Sequence, residues 1–80
     1  MEREDIEIKV AQIFSSILGQ QVAAGENIYR SDVPEWDSLK HIELLFSIED
    51  GFDFQFSEEE LARLDNFQAI VDRVSEHYAA

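Results

Sequence analysis

One run in this chain alternates apolar and polar residues in the manner of a β-strand, Phe52, Phe54 and Phe56, and it stands alone. A strand needs a neighbour for its backbone N–H and C=O groups, and no second alternating run exists to provide one. The three phenylalanines therefore read as loop aromatics that plug a core built by helices. Ile6, Val10, Ile13, Phe14, Ile17 and Leu18 recur at spacings of three and four, which predicts an amphipathic helix from Arg3 to Leu18 with Gly19 as its stop. Phe67, Ile70, Val71, Val74 and Tyr78 form the apolar stripe of a last helix that runs to about His77.

Two further helices lie between these. Lys40 to Asp50 is an apolar helical run, with Asp37 as N-cap and Ser38 as an early helical residue. Ser57 and Glu60 have the spacing of a capping box, which opens a short third helix to about Leu64, and Asp65 with Gln68 repeats the device. Gly19 to Trp36 is a long connection containing Gly25, Asn27 and Pro34, which Ile28, Tyr29 and Val33 are expected to pin to the core. The expected fold is all-α: a small four-helix bundle with a long first loop and a short third helix, residues 1–80 forming one domain.

Eighteen Asp and Glu against six Lys and Arg give a formal net charge of -12 on 80 residues. So acidic a chain is unsuited to nucleic acid or anionic membranes, and its natural partners are basic surfaces. With no cysteine there is no disulfide framework and no thiol to carry an acyl group, so thioester chemistry would need an imported thiol. The start, Met1 to Asp5, lacks the basic and apolar segments of a signal peptide, and no stretch approaches membrane-spanning length, so a cytoplasmic location is the default expectation. The surroundings of Asp50-Gly51 lack the alternating acidic ligands of an EF-hand, and no metal site is expected.

The second helix has two apolar faces. At about 100° per residue, Leu44, Leu45 and Ile48 fall together with His41 beside them, while Leu39, Ile42 and Phe46 fall roughly 140° away. A bundle of this size has little room to bury both. Either the helix is buried all round, or the second stripe is a docking surface edged by Glu43, Glu49 and Asp50.

That stripe begins one residue after Ser38. Asp37-Ser38-Leu39, then Ile42-Glu43-Leu44, then Glu49-Asp50-Gly51-Phe52-Asp53-Phe54-Gln55-Phe56, resembles the acyl carrier protein family, with similarity clearest from Val33 to Val74. The resemblance implies a carrier and not an enzyme. Ser38 would bear 4′-phosphopantetheine, flanked by Asp37 and Leu39, and installed from coenzyme A by a separate phosphopantetheinyl transferase. It implies acyl-loading and acyl-processing enzymes with basic patches as partners, in fatty-acid, polyketide or related specialised biosynthesis. It places Leu39, Ile42, Glu43, Phe46, Glu49 and Asp50 in the contact patch of a monomer. Leu45, Ile48, Phe52, Phe56, Leu64 and Ile70 would surround the cavity that shelters an acyl chain. A phosphodiester on Ser38 would lie in the favourable field of the helix N-terminus, worth a few tenths to ~1 kcal/mol at an exposed site.

Three departures qualify the resemblance. Glu35 stands where many members have glycine, Trp36 where a smaller residue is common, and Lys40 where an acidic one is common. They favour a specialised pathway over primary fatty-acid synthesis. The Gly-Gly that precedes the serine of many peptidyl carriers is missing, which favours an acyl over an aminoacyl cargo. Two other readings compete. An acidic adaptor would use the charge and the Leu39, Ile42, Phe46 stripe without a cofactor. A hydrolase would use Ser38, His41 and Asp37, but no Gly-x-Ser-x-Gly elbow or oxyanion loop accompanies them. His77 needs no role beyond its place at a helix C-terminus.

A net charge of -12 also implies self-repulsion in the folded state. Sodium chloride, and magnesium chloride more strongly, should raise the melting temperature, with ions gathering loosely at Glu43, Glu49, Asp50 and Glu58 to Glu60. Circular dichroism melts in both salts check this; indifference to both would count against it.

Overall fold

In the computed structural model, four α-helices follow one another: α1 (Arg3–Leu18), α2 (Ser38–Phe52), α3 (Glu58–Arg63) and α4 (Phe67–Ala79). A 3-10 turn at Arg30–Asp32 interrupts the long first connection. The structure describes residues 2–79; Met1 and Ala80, the two ends of the expected domain, lie outside the described residues. No strand forms among the described residues, and the one β-type pairing is an isolated antiparallel bridge between Tyr29 and Asn66. The fold is the expected all-helical bundle, with α1 packed along α2 and α4.

α1 ends where glycine allows it. Gly19 adopts φ 71°, and its N–H closes on the Ser15 carbonyl at 3.0 Å. Ile6, Val10, Phe14 and Leu18 are buried, whereas Ile13 and Ile17 are half-buried at the edge of the stripe. The Ser15 hydroxyl donates to the Ala11 carbonyl and accepts the Val22 N–H at 3.0 Å, so the chain leaves α1 along the core with Val22 buried.

α2 continues two residues beyond Asp50, a difference from the sequence expectation. Gly51 does not stop it. A Cβ there would meet Lys9 Cε at 3.5 Å and Ile13 Cδ1 at 3.6 Å, ordinary contact distances, so the position lies against α1 without requiring glycine. Lys9 Nζ donates to the Gly51 carbonyl at 2.5 Å and lies 4.8 Å from the centre of the Phe52 ring. The helix is closed instead by Asp53, in the left-handed region at φ 55°, which aspartate tolerates better than most residues. Phe52 is thus a helical core residue and not a loop aromatic. Phe54 and Phe56 do lie in the loop, with Phe56 buried and Phe54 half-buried against it.

The capping box of α3 forms as expected, the Ser57 hydroxyl accepting the Glu60 N–H while the Glu60 carboxylate accepts the Ser57 N–H at 2.8 Å. The second expected box does not. Asn66, not Asp65, caps α4 by accepting the Ala69 N–H at 2.9 Å. The Gln68 N–H goes to the Asn27 side chain, so the long loop supplies a cap for a helix distant in sequence. Next to it, Phe67 N–H donates to Ile28 O and Arg30 N–H to Asp65 O. The loop is therefore pinned by backbone bonds as well as by Ile28 and Val33. The Tyr29 side chain, expected to be a pin, is exposed.

Trp36 is the loop's deepest anchor. It is buried, with its ring edge-on to Phe14 at 5.1 Å, and Phe14 in turn meets Phe67 at 5.2 Å. Tyr78 stays partly exposed at the end of the α4 stripe, and its hydroxyl donates to the Phe52 carbonyl.

The two stripes of α2 separate as the second of the two readings expects. Leu44, Leu45 and Ile48 are fully buried; Leu39, Ile42 and Phe46 are 68%, 39% and 53% exposed. Ile48→Ala should cost ~2–5 kcal/mol. Phe46→Ala should stay within ~1 kcal/mol of the parent, as surface changes do. Urea unfolding of the two variants measures both, and equal destabilisation would mean that Phe46 is buried in solution.

Candidate functional site

The loop and α2 meet at Ser38. Pro34 occupies the second position of a turn closed by Trp36 N–H on the Val33 carbonyl at 3.0 Å, which points the chain back toward the helix start. Asp37 then caps α2, its carboxylate accepting the Lys40 N–H at 2.9 Å. Ser38 is the first helical residue and is exposed.

Beneath it lies a buried relay. Trp36 Nε1–H donates to His41 Nδ1 at 3.0 Å. Because an indole N–H can only donate, His41 Nδ1 must accept, which leaves the proton on Nε2 to donate to the Leu61 carbonyl at 2.6 Å. The relay ties the loop through α2 to α3. Burial pushes the His41 pKa down; the Leu61 carbonyl pushes it up, the Arg30 charge down and the Asp65 charge up, with a net lowering.

The hydrolase grouping is not assembled. Both ring nitrogens of His41 are taken by the relay, and Asp37 is taken by capping. The Ser38 hydroxyl instead faces Arg30, whose guanidinium donates to Oγ at 3.1 Å and, through Nε, to the Trp36 carbonyl at 3.3 Å. Arg30 is the site residue that the sequence reading missed. Its signal was faint: a cation eight residues before the serine, placed by a turn and by backbone bonds to the α3–α4 junction.

Ser38 opens onto a cleft of about 310 Å³ between α2 and α3, lined by Arg30, His41, Ile42, Glu58, Leu61 and Ala62. The stripe residues Leu39, Ile42 and Phe46 follow along the exposed face of α2. Phe46 also borders a second groove of about 530 Å³, with Glu49, Asp50, Asp53, Phe54 and Gln55. Of the acidic edge, Glu43 pairs with Lys40 at 3.7 Å, and Asp50 is exposed. Glu49 is turned partly inward, accepting the Phe56 N–H at 2.7 Å. Leu45, Ile48, Phe52, Phe56, Leu64 and Ile70, expected around an acyl cavity, all pack in the closed core. No cluster of three or more potential metal ligands occurs among the described residues, and no helix is long and apolar enough to cross a membrane.

No protein-family model matches the chain. An acyl carrier protein from Rubrobacter xylanophilus is 33% identical to it over 82 residues, covering 100% of both proteins. The chain belongs to the acyl carrier protein family. Acyl carrier proteins are carriers and not enzymes, and they work with biosynthetic enzymes. The family generally carries phosphopantetheine, and the residues present suit that group. An exposed hydroxyl begins a helix, a guanidinium faces its oxygen, and a cleft with apolar walls runs from it.

The relay makes stability depend on pH. With the folded pKa of His41 below its ordinary value of 6.5, the unfolded chain binds the extra proton first as pH falls. The contribution is fully present above pH 6.5 and is lost below it, down to the depressed folded value. Glu60 acts lower on the scale. Burial raises its pKa, but the Ser57 N–H and the Arg73 guanidinium outweigh that and hold it below 4.5, so its contribution is lost as pH falls below that value. Urea midpoints should fall between about pH 7.5 and 5.5. In His41→Gln the slope over that range should flatten; an unchanged slope would assign it to other groups.

Proposed function

We propose that this protein carries acyl groups as thioesters on a 4′-phosphopantetheine arm attached to Ser38. The observation that carries the reading is the Ser38 hydroxyl itself, exposed on the first residue of α2 and opening on the cleft, in a chain of the acyl carrier protein family. A phosphopantetheinyl transferase would join Ser38 Oγ to the phosphopantetheinyl phosphorus of coenzyme A. The bond from that phosphorus to the adenosine bisphosphate leaving group breaks, and the hydroxyl proton passes to a base on the transferase. Once bound, the arm supplies the thiol that the chain lacks.

The chain's own residues hold and present. Asp37 caps the helix so that Ser38 sits at a fixed, open position, and Leu39 begins the apolar stripe beside it. Leu39, Ile42 and Phe46, with Glu43, Glu49 and Asp50, form the surface offered to loading and processing enzymes with basic patches. Leaving such side chains in water forgoes up to ~1.5–3 kcal/mol each, and that burial becomes available on docking. A long acyl chain sheltered in the core would part Leu45 and Ile48 from Leu64 and Ile70, which the structure packs together. The protein works as a monomer in the cytoplasm, in fatty-acid, polyketide or a related specialised biosynthesis, where tethering raises the effective concentration of the intermediate at each enzyme.

Incubation with a broad-specificity transferase, coenzyme A and Mg²⁺ should add one phosphopantetheine, read by intact mass. Ser38→Ala should remain at the unmodified mass. Modification of Ser38→Ala would move the site elsewhere, and an unmodified parent protein would overturn the reading.

A further inference from the structure

We infer that Arg30 binds the phosphodiester of the attached arm and holds it against the α2–α3 cleft; this rests on Ser38 as the attachment site. Four ion pairs engage Arg3, Lys40 and Arg73 with carboxylates. Arg30 is different. Among the described residues it pairs with no carboxylate, although the chain bears a net charge of -12. Its half-buried side chain is instead fixed by the Trp36 carbonyl at 3.3 Å and reaches Ser38 Oγ at 3.1 Å.

A neutral hydroxyl is a modest partner for a guanidinium. The same oxygen esterified to phosphate brings two non-bridging oxygens that share one negative charge, and a planar guanidinium with five N–H donors matches them in bidentate fashion. The backbone is already set for this contact. Arg30 N–H is bonded to the Asp65 carbonyl at 2.8 Å, and the Arg30–Asp32 turn holds the residue beside the cleft. A phosphate seated on Arg30 starts the arm along Ile42, Leu61 and Ala62, which border the same cleft. The arm is then stored on the protein surface and released when a partner competes for the phosphate or for Arg30.

The test compares the modified forms of the parent protein, Arg30→Gln and Arg30→Lys, each shown by mass to carry one arm. Phosphorus NMR should give a distinct shift and slower local motion for the parent, an intermediate signal for Arg30→Lys, and a freely mobile phosphodiester for Arg30→Gln. Nuclear Overhauser contacts from the arm to Ile42 and Ala62 should be present in the parent and lost in Arg30→Gln. About 1 M salt, where screening extends only ~3 Å, should move the parent signal toward that of the variant. Comparing unmodified with modified forms of each variant removes any structural effect of the substitution itself. Arg30→Lys keeps the test decisive should Arg30→Gln fail to fold. Identical phosphorus signals in the modified parent and variants overturn the inference while leaving attachment intact. Failure of the parent to take up the arm overturns attachment and this inference together.

Discussion

The hydrogen bond from Trp36 to His41 is the contact on which the site depends. An indole N–H buried without an acceptor costs ~1–3 kcal/mol. Neutral His41 supplies that acceptor and passes its own proton's hydrogen bond to the Leu61 carbonyl. One line of bonds therefore joins the loop before Ser38, the helix that bears it and the short helix across the cleft. Trp36 also meets Phe14, so the same side chain registers the site against α1. The bulk at this position, which the sequence shows as a departure from the usual approach to the serine, anchors the loop, while its backbone carbonyl accepts from Arg30 Nε at 3.3 Å.

α2 divides its tasks by face. Leu44, Leu45 and Ile48 build the core, while Leu39, Ile42 and Phe46 remain open beside Ser38. The acidic residues are not uniform either. Glu49 closes the loop after α2 by accepting the Phe56 N–H, and Glu60 joins Arg73 of α4. Asp50 remains exposed, and Glu43 has only a screened surface partner in Lys40. The charge of the chain thus serves internal tethering at some positions and is presented outward at others.

The fold was legible where the signal was local. Gly19 as a stop, Asp37 as a cap and Ser57 with Glu60 as a box each act within four residues, and all three appear in the structure. Reading failed where a residue answers to something distant in sequence. The apolar run ends at Asp50 in sequence, but α2 carries on through Gly51 to Phe52 and closes at Asp53, whose left-handed φ no spacing pattern reveals. Asp65 and Asn66 are equally plausible caps by type, and the pairing of the long loop with the junction between α3 and α4 decides for Asn66. Ser38 could be picked out from its own neighbours, whereas Arg30 becomes visible only once the turn at Pro34 brings it back to them.

α3 has a thermodynamic character of its own. Six residues are far too few to sustain a helix in isolation, and none of those in α3 is fully buried. It persists through its capping box, the Leu61 carbonyl in the relay and the Glu60–Arg73 pair. Its anchors in the core lie on either side of it, Phe56 before its first turn and Leu64 after its last, with Leu61 packed against the core from within. The wall of the cleft beside Ser38 is thereby an element held by its neighbours more than by its own helical hydrogen bonds. Any change in the width of that cleft is therefore felt at the Leu61–His41 bond and at the core residues on either side of α3.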